Sequence, residues 1–406
     1  MTKGEERPGG AGTLLREPDF LRLWLAGTLS NAMRWLEMLA IGVYTYDLTG
    51  SAFLVALMTV ARSLPLFALG AFAGAIADSV SRKALLLGGL VAMALVSGGL
   101  AVLSVGGVLE LWHIGVGSLI SGFYWAIEMA TRRTMIGEVA GVTRMAEAIS
   151  LDSATNHMTR MVGPLAGGFI YQTAGLSGAF AIATALHVVS ALTVLALRYS
   201  QTVRPLAIAR IPGEILDGMR SARQRPIILG VLAITGAMNF FGFSYTAMMP
   251  AVGRDQFEVS ATLIGLLVAS EAAGGLVGAL VITWARPPIS FIRLFVAGSM
   301  LLLAGVALAA LAPWYLLALI FLFVGGLGVA GFGSMQSTIV LTESPIEMRS
   351  RLMGLLTVCI GMGPLGVLHV GFISKFMEPS TAVLVIAVEG LVAVGLVLLK
   401  WPEMRR

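Results

Sequence analysis

Four polar side chains, Asp152, Asn156, His157 and Arg160, recur inside one otherwise apolar stretch. Their spacing puts them along one stripe of a helix. Asn31, Arg34 and Met38 share a second such face, with Glu37 one turn from Arg34 and able to neutralise it. Arg62 stands beside Ser63 in a third apolar run, and Glu271 is centred in a fourth with no basic residue near it in sequence. Ionisable groups in such surroundings are expensive and mark paths for ions or substrates. Glu271 is the preferred proton carrier, because a proton there would remove a costly buried charge and bias one conformation over another. Glu37, Asp152 and Glu128 are the further candidates for proton coupling.

A substrate cavity is expected from Asn31, Arg34, Arg62, Tyr124, Asn156, Arg160, Asn239, Phe240 and Tyr245. Aromatic residues at 240, 241, 243 and 245, with Met238, Met248 and Met249, suit an amphipathic organic ligand, and they suit ordinary helix packing equally. The three arginines also suit structural pairing with Glu37 and Asp152. Glu128 lies one turn from Arg132, as in an interfacial ion pair. His187 and His369 read as packing residues, and Glu389 as a residue of a peripheral helix. Covalent chemistry has no support: zinc-spaced histidines, a nucleophile elbow and a phosphate-binding loop are all missing. Gly326-x-Gly328-x-x-Gly331 matches a dinucleotide fingerprint in spacing alone, since no strand precedes it; small residues there let helices approach closely. No cofactor and no metal are expected.

The elements that position these residues follow from apolarity. The chain is 57% hydrophobic and 12% charged, with a mean hydropathy of +0.89, whereas a soluble domain carries roughly 25% charge. A bilayer crossing needs about 20 apolar residues. Such runs span Phe20–Tyr46, Phe53–Ala77, Ala84–Val105, Leu109–Ala130, Ala146–Gln172 and Ala179–Leu197 in the first half. In the second half they span Pro226–Val252, Leu263–Trp284, Phe291–Leu311, Trp314–Leu341, Leu352–Phe376 and Thr381–Leu399. Basic residues concentrate in alternate loops, while the other loops carry only Arg254 and Lys375. The positive-inside rule then predicts twelve crossings with both termini cytoplasmic, in a cell (inner) membrane. The expected organisation is a tail over 1–18, a six-helix bundle over 19–198, a linker over 199–225, a second bundle over 226–400 and a tail over 401–406. Glu214 to Arg223 of the linker could form a short amphipathic surface helix. The first helix serves as an uncleaved anchor. The net charge of +5 is spread among loops rather than gathered in a stripe, which argues against nucleic acid. The one cysteine, Cys359, cannot form a disulfide within the chain.

The halves echo each other: Gly163-Pro164-Leu165 in the fifth run matches Gly363-Pro364-Leu365 in the eleventh. Gly74-Ala-Ile-Ala-Asp78-Ser79-Val-Ser81-Arg82-Lys83 resembles the loop motif of the major facilitator superfamily, with Ser79 at the usual basic position and Ser81 at the usual glycine. Gly163-Pro164-x-x-Gly167-Gly168 resembles the fifth-helix motif of that family's exporters. Asp47-Leu-Thr-Gly-Ser51 and Ala61-Arg-Ser-Leu-Pro65 look like the bacterial siderophore and multidrug exporter branch. The resemblance implies an all-α membrane protein of two pseudo-symmetric six-helix bundles. It implies alternating access, and a latch at Gly74, Asp78, Arg82 and Lys83 in which Asp78 meets the start of the eleventh helix near Ser350 and Arg351. The expected activity is proton-driven export of an amphipathic molecule by a monomer in the lipid bilayer. The alternatives are import or flipping of an anionic compound, such as an organic acid or lysophospholipid, and a non-transporting sensor.

Overall fold

The computed structural model describes residues 14–201, 213, 219–285 and 289–405, without the side chains of residues 69–78, 142, 146, 285, 347 and 350. Among these residues the chain is helical throughout, with no strand. The first bundle comprises α1 (Pro18–Thr49), α2 (Ala52–Ser79), α3 (Arg82–Val105), α4 (Leu111–Ala140), α5 (residues 145–174) and α6 (residues 176–195). The second comprises α7 (Pro226–Asp255), α8 (Ala261–Ala285), α9 (Phe291–Ala310), α10 (Tyr315–Glu343), α11 (Arg349–Ile360 and Gly363–Ile373) and α12 (Pro379–Lys400). Eight segments among the described residues are long and apolar enough to cross a membrane. One of them, Glu147–Leu195, is two crossings folded at Gly175, whose φ of 67° suits a residue without a side chain. α1 and α4 carry the buried charges described below, which dilute their apolarity.

Local chemistry sets the helix ends. Ser51 and Ser81 cap α2 and α3 by accepting from the amides of Leu54 and Ala84, each at 3.3 Å. Gly50, in the left-handed conformation, closes α1 by donating to the Tyr46 carbonyl at 2.8 Å. α7 is interrupted: a π-turn over Met238–Gly242 and a 3₁₀ turn over Ser244–Met248 replace two turns of α-helix. π-turns recur at functional sites because they re-aim side chains within a helix.

Small residues carry the tightest packing. A Cβ at Gly326 would stand 2.1 Å from the Glu271 carbonyl oxygen, and one at Gly274 would stand 2.0 Å from that of Phe323. α8 and α10 are thus in backbone contact, as the glycine spacing of α10 leads one to expect. α5 and α8 join the two bundles in the same way. A Cβ on Gly168 would meet the Ala261 carbonyl oxygen at 2.2 Å, and one on Gly265 would meet that of Pro164 at 2.4 Å.

The end carrying the arginine-rich loops is here called the basic face. At the opposite, far end, polar contacts stitch the bundles together. Arg254 donates twice to Asp47, at 2.8 Å each, and the Tyr171 hydroxyl donates to the same carboxylate at 3.0 Å. Tyr46 bonds Asp255, and Thr262 bonds Gln172 at 2.6 Å. The apolar clusters agree: Leu39, Val43, Val55 and Ala56 from the first bundle belong to the main core of the second. Nearer the basic face, Phe20, Leu23, Leu86 and Met135 form a separate core of the first bundle.

Candidate functional site

Arg160 of α5 and Glu271 of α8 meet between the two bundles, with Nη2 of the guanidinium 2.7 Å from Oε2 of the carboxylate. The contact joins residues 111 apart in sequence. Glu271 is fully buried, while the Arg160 side chain keeps 20% exposure. The guanidinium also lies over two rings, 5.6 Å from the Trp35 centroid and 5.7 Å from that of Phe243. Cation–π contacts of this kind act within about 6 Å. Four helices, α1, α5, α7 and α8, thus converge on one cation.

The local sequence explains the convergence. A Cβ on Gly163 would overlap the Trp35 Cβ at 2.5 Å, and one on Gly167 would stand 2.5 Å from the Leu36 carbonyl oxygen. The glycine motif of α5 therefore seats that helix on α1 one turn from Arg160 and fixes the Trp35 ring beside it. The π-turn of α7 ends at Phe243, whose amide donates to the Met238 carbonyl at 3.0 Å. Among the described residues, Glu271 Oε1, Trp35 Nε1 and the Tyr245 hydroxyl are buried without a hydrogen-bond partner. Asn156 and His157 lie one turn from Arg160 toward the basic face, on the same side of α5, and both are exposed. Above the ion pair, a small cavity between the bundles is lined by Met38, Thr59, Pro164, Thr246 and Val268.

The remaining buried charges sit inside the first bundle. Glu37 bonds Arg62 at 3.3 Å and accepts from Ser97 at 2.8 Å. Its partner is not Arg34, the neighbour that sequence proximity offers. Arg34 instead bonds Glu128 at 3.1 Å and lies 4.8 Å from the Trp125 centroid. Glu128 also holds Arg132, which holds Asp152. Asp152 thus turns into the first bundle and shares no partner with Arg160. Gly27 makes room for this network, since a Cβ there would strike the Arg132 guanidinium at 2.5 Å. Two cations balance two anions in the network, Arg62 balances Glu37, and Arg160 balances Glu271.

Asn31 is buried in α1, and Tyr124 hydrogen-bonds Ser30 at 3.3 Å within the first bundle. Asn239 donates to the Thr235 carbonyl at 2.9 Å. Tyr245 is wholly buried in the second bundle. The Phe240 ring packs on Phe241 and, at 5.4 Å, on His369. His369 bonds Glu389 at 2.8 Å, a contact between α11 and α12 that the apolar spacing did not announce. Of the loop motif, Gly74 and Asp78 lie outside the described side chains, as does Ser350. Arg82 reaches Glu138 at 2.7 Å and Tyr199 at 3.0 Å. Lys83 donates to the carbonyls of Leu195 and Leu197. Both basic residues thus tie α3 to other parts of the first bundle. Residues 214–218 of the Glu214 to Arg223 stretch fall outside the described residues, and residues 219–223 are helical.

The profile of the transmembrane secretion effector family matches residues 11–405. The enterobactin exporter EntS of Shigella boydii serotype 4 (strain Sb227) is 25% identical over 401 residues, covering 97% of this chain and 94% of that protein. The MFS-type transporter YfiS of Bacillus subtilis (strain 168) is 23% identical over 415 residues, covering 96% and 95%. Among solved structures, the nucleoside transporter NupG superimposes with a TM-score of 0.72 at 16% identity, covering 95% of this chain and 99% of that one. A bacterial homologue of the human lysosomal transporter Spinster, inward-facing and unoccupied, gives 0.71 at 14% identity, covering 99% and 97%. These two show the fold. The chain is a membrane transporter and belongs to the transmembrane secretion effector family of the major facilitator superfamily.

Proposed function

We propose that this transporter is a proton-driven exporter of an amphipathic organic molecule, with the Arg160–Glu271 pair as its switch. The carrying observation is that this buried pair is shared between the bundles, so its two charges are satisfied only while the bundles stay together at mid-depth. Separating them on the far side would strand a charge on each bundle, which is strongly unfavourable. A proton on Glu271 removes half of that cost. The far-open state then binds a proton, and re-forming the pair expels it on the other side, as antiport requires. Export is supported by the family description and by the exporter relative. In this reading the basic face is cytoplasmic in a cell membrane. The bundles over 19–198 and 226–400 rock about the 199–225 linker as a monomer.

A test is flux of an amphipathic dye into inside-acid vesicles carrying the reconstituted protein. Glu271→Gln should abolish the pH-driven component in protein that still folds. Undiminished pH-driven flux in that variant would sink the proposal. A second reading, import or flipping of an anionic compound, draws on the partial exposure of Arg160. There a proton on Glu271 would free Arg160 for the anion, so the gradient would drive the two the same way.

A further inference from the structure

The groups around Arg160 are those that recognise a cation. A carboxylate, an indole ring and a phenyl ring from three helices face one point, and the guanidinium of Arg160 occupies it. Aromatic faces with a carboxylate form a recurrent receptor for ammonium and guanidinium groups, because ring quadrupoles and a fixed anion both favour positive charge. A receptor for an anion would gather several donors, but Arg34, Arg62 and Arg132 are each held by carboxylates within the first bundle. Glu271 Oε1 is buried with no hydrogen-bond partner among the described residues, so the box has an acceptor that Arg160 leaves unused. Arg160 enters from α5, and its side chain keeps 20% exposure, so the occupant is not sealed in.

We propose that Glu271, Trp35 and Phe243 form a binding box for an organic cation, and that Arg160 is a tethered internal occupant that the cargo displaces. The inference rests on reading the Arg160–Glu271 interface as the transport site, and on neither the coupling ion nor the direction. It assigns the substrate a positive head, ammonium or guanidinium, on an apolar body. It also assigns Arg160 a specificity role. A displaced guanidinium must stay near the box to return, so weak monovalent cations without an aromatic or aliphatic body would fail to compete.

The test is equilibrium binding to the full-length protein in detergent, by calorimetry, with no gradient and no flux. The probes are 1-naphthylmethylguanidinium and its carboxylate counterpart, 1-naphthylacetate. The cation should bind and the anion should not. Arg160→Gln, which empties the box, should tighten the cation by about tenfold or more, the size expected for losing a competing charged hydrogen bond. Glu271→Gln should abolish cation binding. If Arg160→Gln does not fold, preference of the wild type for the cation and a several-fold loss in Phe243→Leu carry the test. Binding of the anion in place of the cation, binding of neither, or no gain in folded Arg160→Gln overturns the proposal. Loss of pH-driven flux without these binding results would remove the box and keep the proton switch; the converse would keep the box and remove the switch.

Discussion

Glu128→Gln tests whether the first bundle is held by charge balance. In the wild type Glu128 serves Arg34 and Arg132 together, and Asp152 completes a neutral set of two cations and two anions. All four side chains are largely buried, from 2% exposure at Glu128 to 14% at Asp152. Removing the Glu128 charge leaves the set at +1, with Arg34 the member left without its carboxylate. Stranding one partner of a buried pair costs about 3–5 kcal/mol. At about 2 °C per kcal/mol for a large chain, apparent melting should fall by about 6–10 °C. Adding Arg34→Met restores neutrality, and replacing a buried pair by apolar groups is often nearly neutral. The double variant should therefore recover most of the loss, with a coupling of about 2 kcal/mol or more. Thermal unfolding of the detergent-purified single and double variants measures this. Additive losses in the double variant would refute the reasoning, since independent sites carry no shared charge balance.

Gly168→Leu should hold the bundles apart at the far end, because its Cβ alone would stand 2.2 Å from the Ala261 carbonyl oxygen. A thiol-reactive reagent applied from the far side should then label a cysteine placed at Ala261, which is buried without the leucine. Asp47→Asn should cost stability only modestly, about 0–1 kcal/mol, since the Asp47–Arg254 pair is about a third exposed; the same labelling should rise, and high salt should produce part of the rise in the wild type. Burial and the Glu138 carboxylate push the Tyr199 phenol above its ordinary range. The folded form thus favours the protonated phenol, and its contribution is present below that range and lost as pH climbs through the raised value. In Tyr199→Phe the alkaline loss of thermal stability should shrink, and an unchanged alkaline limb would rule this contact out as its cause.

The crossings are legible because a bilayer imposes length and polarity on every run, and because arginines alternate between loops. The glycines at 163, 167 and 168 are legible as a motif, and the packing supplies their cause: one helix seated on two others. The ion pairs are not legible. Arg34 and Glu128 are 94 residues apart, and Arg160 and Glu271 are 111 apart, so only the three-dimensional meeting of helices selects them over sequence neighbours such as Glu37. The apolar run that ends at Ala130 puts Arg132 in a loop, whereas α4 continues to Ala140 and buries it. The i, i+4 spacing of Glu128 and Arg132 is the signal that it belongs inside. The π-turn of α7 leaves no trace that apolar periodicity could detect.

The balanced pairing of buried charges has an electrical consequence. Moving one elementary charge through the full membrane potential takes about 2.3 kcal/mol per 100 mV. Each cluster described above sums to zero, whether within the first bundle or across the Arg160–Glu271 contact. A rocking scaffold built this way moves dipoles rather than net charge through the field, so the voltage does little work on the protein itself. Current accompanying turnover then counts the charges on cargo and coupling ion, and the reversal potential of a reconstituted layer reads their stoichiometry directly.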